Sequence, residues 1–171
     1  MSIQSSDKLV SSNIMVAYAS YYGKRKAHVK LLVQLVQDAL PVLKKVLSVP
    51  EDVTVRIGGI KGRVNGRYFS GDRCACIDDS LPIRKALEVL AHELVHAEQY
   101  HTGRLSYNYV SGKGYVANWS GEAVHNKGTT YRAYRAQPWE QEAWDRQAKL
   151  AAVVASVLGR DDLMPLNTST N

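Results

Sequence analysis

The sequence predicts an α+β fold in a single domain: an N-terminal helix, a small mixed sheet, a central helix, a hairpin insert and a C-terminal helix. Three observations carry this. Apolar residues recur at spacings of three and four over 29–47, 83–95 and 143–158, the period of a helix with one buried face. Val53, Val55 and Ile57 alternate with polar residues, the period of a half-buried strand. The chain has 171 residues and is 45% apolar, enough for one core and hardly two.

Taken in order, residues 1–12 read as a polar tail and 160–171 as another, leaving 13–159 as the domain. The first helix runs over 27–47 through Val29, Leu32, Val33, Val36, Leu40, Leu43 and Leu47. Pro41 is expected to kink or split it. A strand follows at 53–57 and is broken by Gly58, Gly59 and Gly62. Residues 67–78 read as a second strand region, with a hairpin partner near 62–66. Asp78, Asp79 and Ser80 then offer N-cap oxygens ahead of Pro82, a favoured first-turn residue. The helix expected over 81–101 buries Ile83, Leu87, Leu90, Ala91, Leu94 and Val95. The stretch 104–135 is rich in Tyr and Gly, and two short strands around Ser111-Gly112-Lys113-Gly114 suit a hairpin. Pro138 opens the last helix, which Gly159 closes.

Composition excludes several classes. Charged residues are 22% and apolar content is high, so the chain is not disordered. Cys74 and Cys76 are too few and too close for a disulfide framework and read as free thiols among small core residues. Residues 1–13 are polar and hold no apolar signal core, so residence in a reducing cytoplasm is expected. Lys30, Gln34, Gln37, Asp38, Lys44 and Lys45 interrupt the most apolar run, so no membrane partner is expected. The net charge of +6 is mild and fits a solvated basic surface. Five of the cations fall in 101–135 against a single Glu, which leaves nucleic acid as a partner without a motif to support it.

One stretch carries chemistry. Ala91-His92-Glu93-Leu94-Val95-His96 is H-E-x-x-H inside a helix. Residues four apart stack on one helix face, so His92 and His96 can offer imidazole nitrogens to one zinc ion. Glu93 is offset from His92 by about 100° and reaches a metal-activated water instead, the place of a general base. A catalytic zinc wants a third protein ligand. His101, His125, Glu98, Glu122, Glu140 and Glu142 are the candidates. Glu140 precedes Ala143 by three and Trp144 by four and so lies on the inward face of the last helix, where a carboxylate must be paired or on a metal. Glu142 aligns with Arg146 and Lys149 on the wetter face and stands as the alternative.

These residues resemble a known family. His92-Glu93-x-x-His96 followed by a helical Glu is similar to the gluzincin metallopeptidases, and in size to the minigluzincin-like single domains. His96-x-x-Gln99, Trp119-x-Gly121 and Tyr134-x-x-x-Pro138-Trp139-Glu140-x-Glu142-Ala143 resemble small metallopeptidases often encoded by bacteriophages. The resemblance spans roughly residues 75–150. It implies a zincin-like fold, zinc on His92, His96 and Glu140, and Glu93 as base, in a host cytoplasm or a virion. Thermolysin-like members carry an acid four residues after the ligand Glu to orient a ligand His; here that position is Trp144, with Asp145 next to it.

The expected function is hydrolysis of a protein or peptide substrate. The strand near 73–77 is the expected substrate edge, the Tyr-rich insert a lid or wall, and Tyr134, Tyr131 or His125 the oxyanion donor. Gln99 either bonds within the site or caps the helix end. Two other readings stand beside this one. One is a structural or regulatory protein, such as a phage particle component, that keeps zinc without turnover. The other is a DNA-associated protease.

Overall fold

The computed structural model describes residues 7–11, 13–17, 26–60, 64–112, 114–124 and 130–165. The fold is α+β. Strands β1 (Asp7–Ser11) and β2 (Ile14–Ala17) precede helix α1 (Lys26–Leu47). Strands β3 (Thr54–Ile57), β4 (Gly66–Phe69) and β5 (Cys74–Ile77) lead to helix α2 (Ile83–His101). Strands β6 (Leu105–Val110), β7 (Gly114–Trp119) and β8 (Glu122–Val124) form a second sheet. Helices α3 (Tyr131–Arg135) and α4 (Pro138–Leu158) and a 3-10 turn at Asp161–Leu163 complete the described chain.

The larger sheet is mixed, in the order β1-β2-β3-β5-β4. β2, β3 and β5 are parallel neighbours, and β1 and β4 add antiparallel strands at the two ends. Helices α1 and α2 lie on one face. Val16, Val55, Ile57, Ala75 and Ile77 meet Leu32, Val36, Leu87, Leu90 and Leu94 there in one buried cluster. Alternation along β5 turns Cys74 and Cys76 to the opposite face, where both are buried and their Sγ atoms lie 4.0 Å apart.

Several expectations are corrected. Pro41 neither splits the first helix nor ends it; it sits on the exposed side of a continuous α1, away from the packed face. The strand region 67–78 is two strands, β4 and β5, joined by a turn in which Arg73 takes a positive φ of 46°. The edge is therefore β4, and β5, expected at the edge, is interior between β3 and β4. Asp78 does not cap α2: its carboxylate accepts from the Ser80 and Ile60 amides, and Pro82 holds the N-cap position. Asp7–Ser11, read as polar tail, pairs with β2, and Leu163 beyond the expected last helix is 1% exposed. His28 ties α1 to the segment ahead of α2, its Nε2 donating to the Leu81 carbonyl at 2.8 Å.

Helix α4 runs as expected from Pro138 to a left-handed Gly159 at φ 62°. It packs along α2 through Ala143, Gln147, Leu150, Ala151 and Val154. With the sheet on one side and α4 on the other, α2 is buried all round from Val89 to Ala97. His92, Glu93 and His96 thus lie inside, where each must find a partner.

Tyr68 on β4 gives the sheet edge a pH dependence. Burial pushes its phenol up to about 12, with Tyr100 packed 5.8 Å away. A folded-state value above the ordinary 10 means stability that is complete below pH 10 and lost as pH rises to 12. Tyr68→Phe is therefore expected to lose less unfolding free energy than the unaltered protein between pH 10 and 12, read by denaturant titration at each pH. Parallel curves would remove Tyr68 from the alkaline transition.

Candidate metal centre

His92 and His96 stand one turn apart on α2, their rings edge to face with centroids 4.8 Å apart. Glu140 enters from the first turn of α4. His92 Nε2 lies 3.2 Å from His96 Nε2 and 3.4 Å from Glu140 Oε2. His96 Nε2 lies 3.3 Å from Glu140 Oε1. Among the described residues this buried trio is the one cluster of three or more His, Cys, Asp or Glu whose donor atoms converge as metal ligands do.

The donor set fits a small cation. Bonds of 2.0–2.1 Å in a tetrahedron set two ligand atoms about 3.3–3.4 Å apart. The separations here, 3.2 to 3.4 Å, have that length, the two to Glu140 running to its two different oxygens. Glu140 Oε2 is fully buried yet makes no hydrogen bond of good geometry among the described residues. A carboxylate oxygen out of water costs several kcal/mol unless a charge answers it, and a cation between the three side chains does so. Burial alone pushes the Glu140 carboxyl up, but the two imidazoles outweigh it and hold it down to about 2. Burial likewise works against a charged His96, and the Glu140 and Glu93 carboxylates raise it in net.

Glu142, the alternative ligand, is turned elsewhere. Its carboxylate accepts from Arg104 at 2.8 and 3.1 Å, from Arg146 at 2.8 Å and from Gln99 Nε2 at 3.1 Å. Glu98 joins the same network through Arg104 and Arg146. Arg104, one of the cations of the basic insert, is thus committed to internal ion pairs.

Gln99 fixes the protonation of His96. It is 0% exposed, and its Nε2 donates to the Trp139 carbonyl at 3.0 Å as well as to Glu142. That leaves Oε1 against His96 Nδ1 at 2.8 Å. An amide oxygen only accepts, so Nδ1 carries the proton and Nε2 keeps the lone pair a metal needs. Gln99 therefore bonds within the site rather than capping the helix. Gln99→Leu is expected to weaken metal binding about 10- to 100-fold with the fold intact, measured by competition with a chromophoric chelator. Unchanged affinity would refute this orienting role.

His92 is held by Gln147, whose Oε1 lies 3.1 Å from Nδ1. The sequence reading missed Gln147. It lies two turns beyond Glu140 on the same helix face, a spacing that points to it. Trp144, where thermolysin-like enzymes carry an acid, packs edge-on against the His92 ring at 5.1 Å. Asp145 is exposed and belongs to a surface hollow with Arg132 and Arg135.

Glu93 is 5% exposed. Burial pushes its carboxyl up to about 7 against the downward pull of His96 and His92, and the Tyr68 backbone N–H donates to it. Strand β4 borders this group. The Asp78 amide donates to the Asn65 carbonyl, which makes 65/78 a hydrogen-bonded pair of the ladder. Alternation then makes Gly66 and Tyr68 non-bonded positions, their backbone groups turned to the open edge over the cleft.

The cleft is lined by Val64, Gly66, Lys85, Glu93, Tyr134 and Trp144, among others. Tyr134 lies on α3, a helix the sequence reading missed although Thr130 caps it by accepting from the Ala133 amide. Burial and the Glu140 carboxylate raise its phenol well above the ordinary tyrosine value, so its proton stays on and faces the trio. Tyr131 lines the same cleft and is 67% exposed. His101 is exposed at the end of α2, outside the trio. Glu122 is exposed on β8, and His125 lies outside the described residues. No helix among the described residues is long and apolar enough to cross a membrane.

Compared with family models, with curated proteins and with solved structures, the chain finds no match.

Proposed function

We propose that the protein is a zinc-dependent peptidase of zincin-like fold. The observation that carries this is the buried His92, His96 and Glu140 cluster, its imidazole nitrogens 3.2 Å apart and each 3.3 to 3.4 Å from a Glu140 oxygen, with a second carboxylate, Glu93, beside it. Two nitrogens and one carboxylate oxygen suit zinc, and three protein ligands leave one position open, as in catalytic sites. Zinc held there supplies a Lewis acid that polarises the scissile carbonyl and lowers the pKa of water.

The remaining chemistry belongs to the chain. Glu93 takes a proton from the attacking water and delivers it to the leaving amide nitrogen. Tyr134 offers its hydroxyl proton to the oxygen on which charge develops. The backbone N–H and carbonyl of Gly66 and the carbonyl of Tyr68 present an edge to which an extended peptide can add as a strand. α2 and α4 hold the ligands on core elements, so the geometry is set before substrate arrives.

Of the five cations of the basic stretch, Arg104 is neutralised by Glu98 and Glu142 and does not serve the DNA-associated reading. The direct test is elemental analysis of protein purified without chelator, with hydrolysis of a quenched fluorescent peptide library before and after chelation. One zinc per chain, and cleavage lost on chelation and restored by zinc, is expected. Zinc well below one per chain sinks the proposal, and zinc without cleavage favours the structural reading.

A further inference from the structure

We propose that Gly66 is a positioning residue that sets where the Glu93 carboxylate stands. The role rests on the peptidase reading above. Gly66 lies on the edge strand β4 directly over the α2 face that carries Val89 and Glu93, residues one turn apart. A Cβ at position 66 would meet Val89 Cγ1 at 2.5 Å, Glu93 Oε1 at 2.6 Å and Glu93 Cγ at 3.0 Å. Ordinary contact begins near 3.4 Å, so either the carboxylate retreats or the strand swings out, by roughly 1 Å. Gly66 does not take a left-handed φ, so what the position requires is the absence of a side chain.

The same strand supplies the attraction that complements this clearance. The Tyr68 backbone N–H, two residues on and facing the same open edge, donates to the Glu93 carboxylate. Gly66 lets the base approach the strand, and Tyr68 holds it there. β4 borders the cleft, so the element that offers an edge to the substrate also registers the base against it. A base displaced by about 1 Å from a productive geometry loses on the order of 100-fold in rate.

The test uses the zinc-loaded 171-residue chain and acetohydroxamate, whose acidic proton a correctly placed Glu93 accepts. Affinity is read by calorimetry beside zinc content, unfolding temperature and kcat against KM for a cleaved peptide. Gly66→Ala is expected to keep one zinc per chain, weaken acetohydroxamate about 10- to 100-fold and lower kcat more than it raises KM. Two double variants separate positioning from packing. Gly66→Ala with Val89→Ala relieves the apolar clash and restores unfolding temperature, but not acetohydroxamate affinity. Gly66→Ala with Glu93→Asp pairs the added methyl with a shorter acid and binds acetohydroxamate more tightly than Glu93→Asp alone.

Wild-type affinity in Gly66→Ala overturns the role, as does full recovery with Val89→Ala or weaker binding by the Glu93→Asp pair than by Glu93→Asp. Failure of the unaltered protein to take up zinc overturns the peptidase reading itself, and Glu93 with it as a base.

Discussion

Glu93→Gln is expected to keep one zinc per chain and to lower peptide hydrolysis by about 10²- to 10⁴-fold. The amide has the same shape and can still accept from the Tyr68 N–H, so the site is not emptied. What it loses is a lone pair basic enough to take a proton. The barrier rises by about 3–5 kcal/mol. Metal content measured on the same sample separates this from collapse of the site. Full activity in the variant would dismiss Glu93 as the base, whatever the metal does.

The second large effect contrasts two glutamates two positions apart. Glu140→Gln is expected to weaken zinc by more than the roughly 10- to 100-fold that loss of an orienting partner costs, since a charged ligand is gone. Glu142→Gln should stay within that band, because Glu142 reaches the centre only through Gln99 and His96. Stability gives an independent reading. Zinc at a hundred times its dissociation constant stabilises the unaltered fold by about 2.7 kcal/mol, and in Glu140→Gln that gain should vanish at the same zinc concentration. Equal losses in both variants would mean that Glu140 is not the third ligand.

Much of this was legible in the chain. The helix that carries His92 and His96 and the last helix show their boundaries because Pro82, Pro138 and Gly159 punctuate them and the apolar period is unbroken between. Glu140 was separable from Glu142 by helical phase, since only one of them shares a face with Ala143 and Gln147. The edge strand was not legible. Four residues of β4, one of them glycine, carry no alternation, and which strand ends a sheet is decided by distant pairings such as β3 with β5. Strand β1 was hidden for a related reason, its five residues DKLVS being mostly polar. The glutamine partners of the two histidines were half visible. Gln99 lies one turn from His96, but the proton it assigns depends on Trp139 and Glu142, which arrive from another helix.

That arrangement has a consequence for biosynthesis. His92 and His96 are made together, but the carboxylate that joins them lies far along the chain, at the start of a helix that must dock on α2. While the chain grows, the histidine pair alone is a weak, two-point binder of cations. The three-ligand cluster exists only once α4 has seated against α2, and α4 seats through the apolar contacts of Ala143, Leu150, Ala151 and Val154. Completion of the hydrophobic core and assembly of the His92, His96 and Glu140 cluster are then a single event. A nascent or misfolded copy, lacking that contact, has the two histidines without their carboxylate partner.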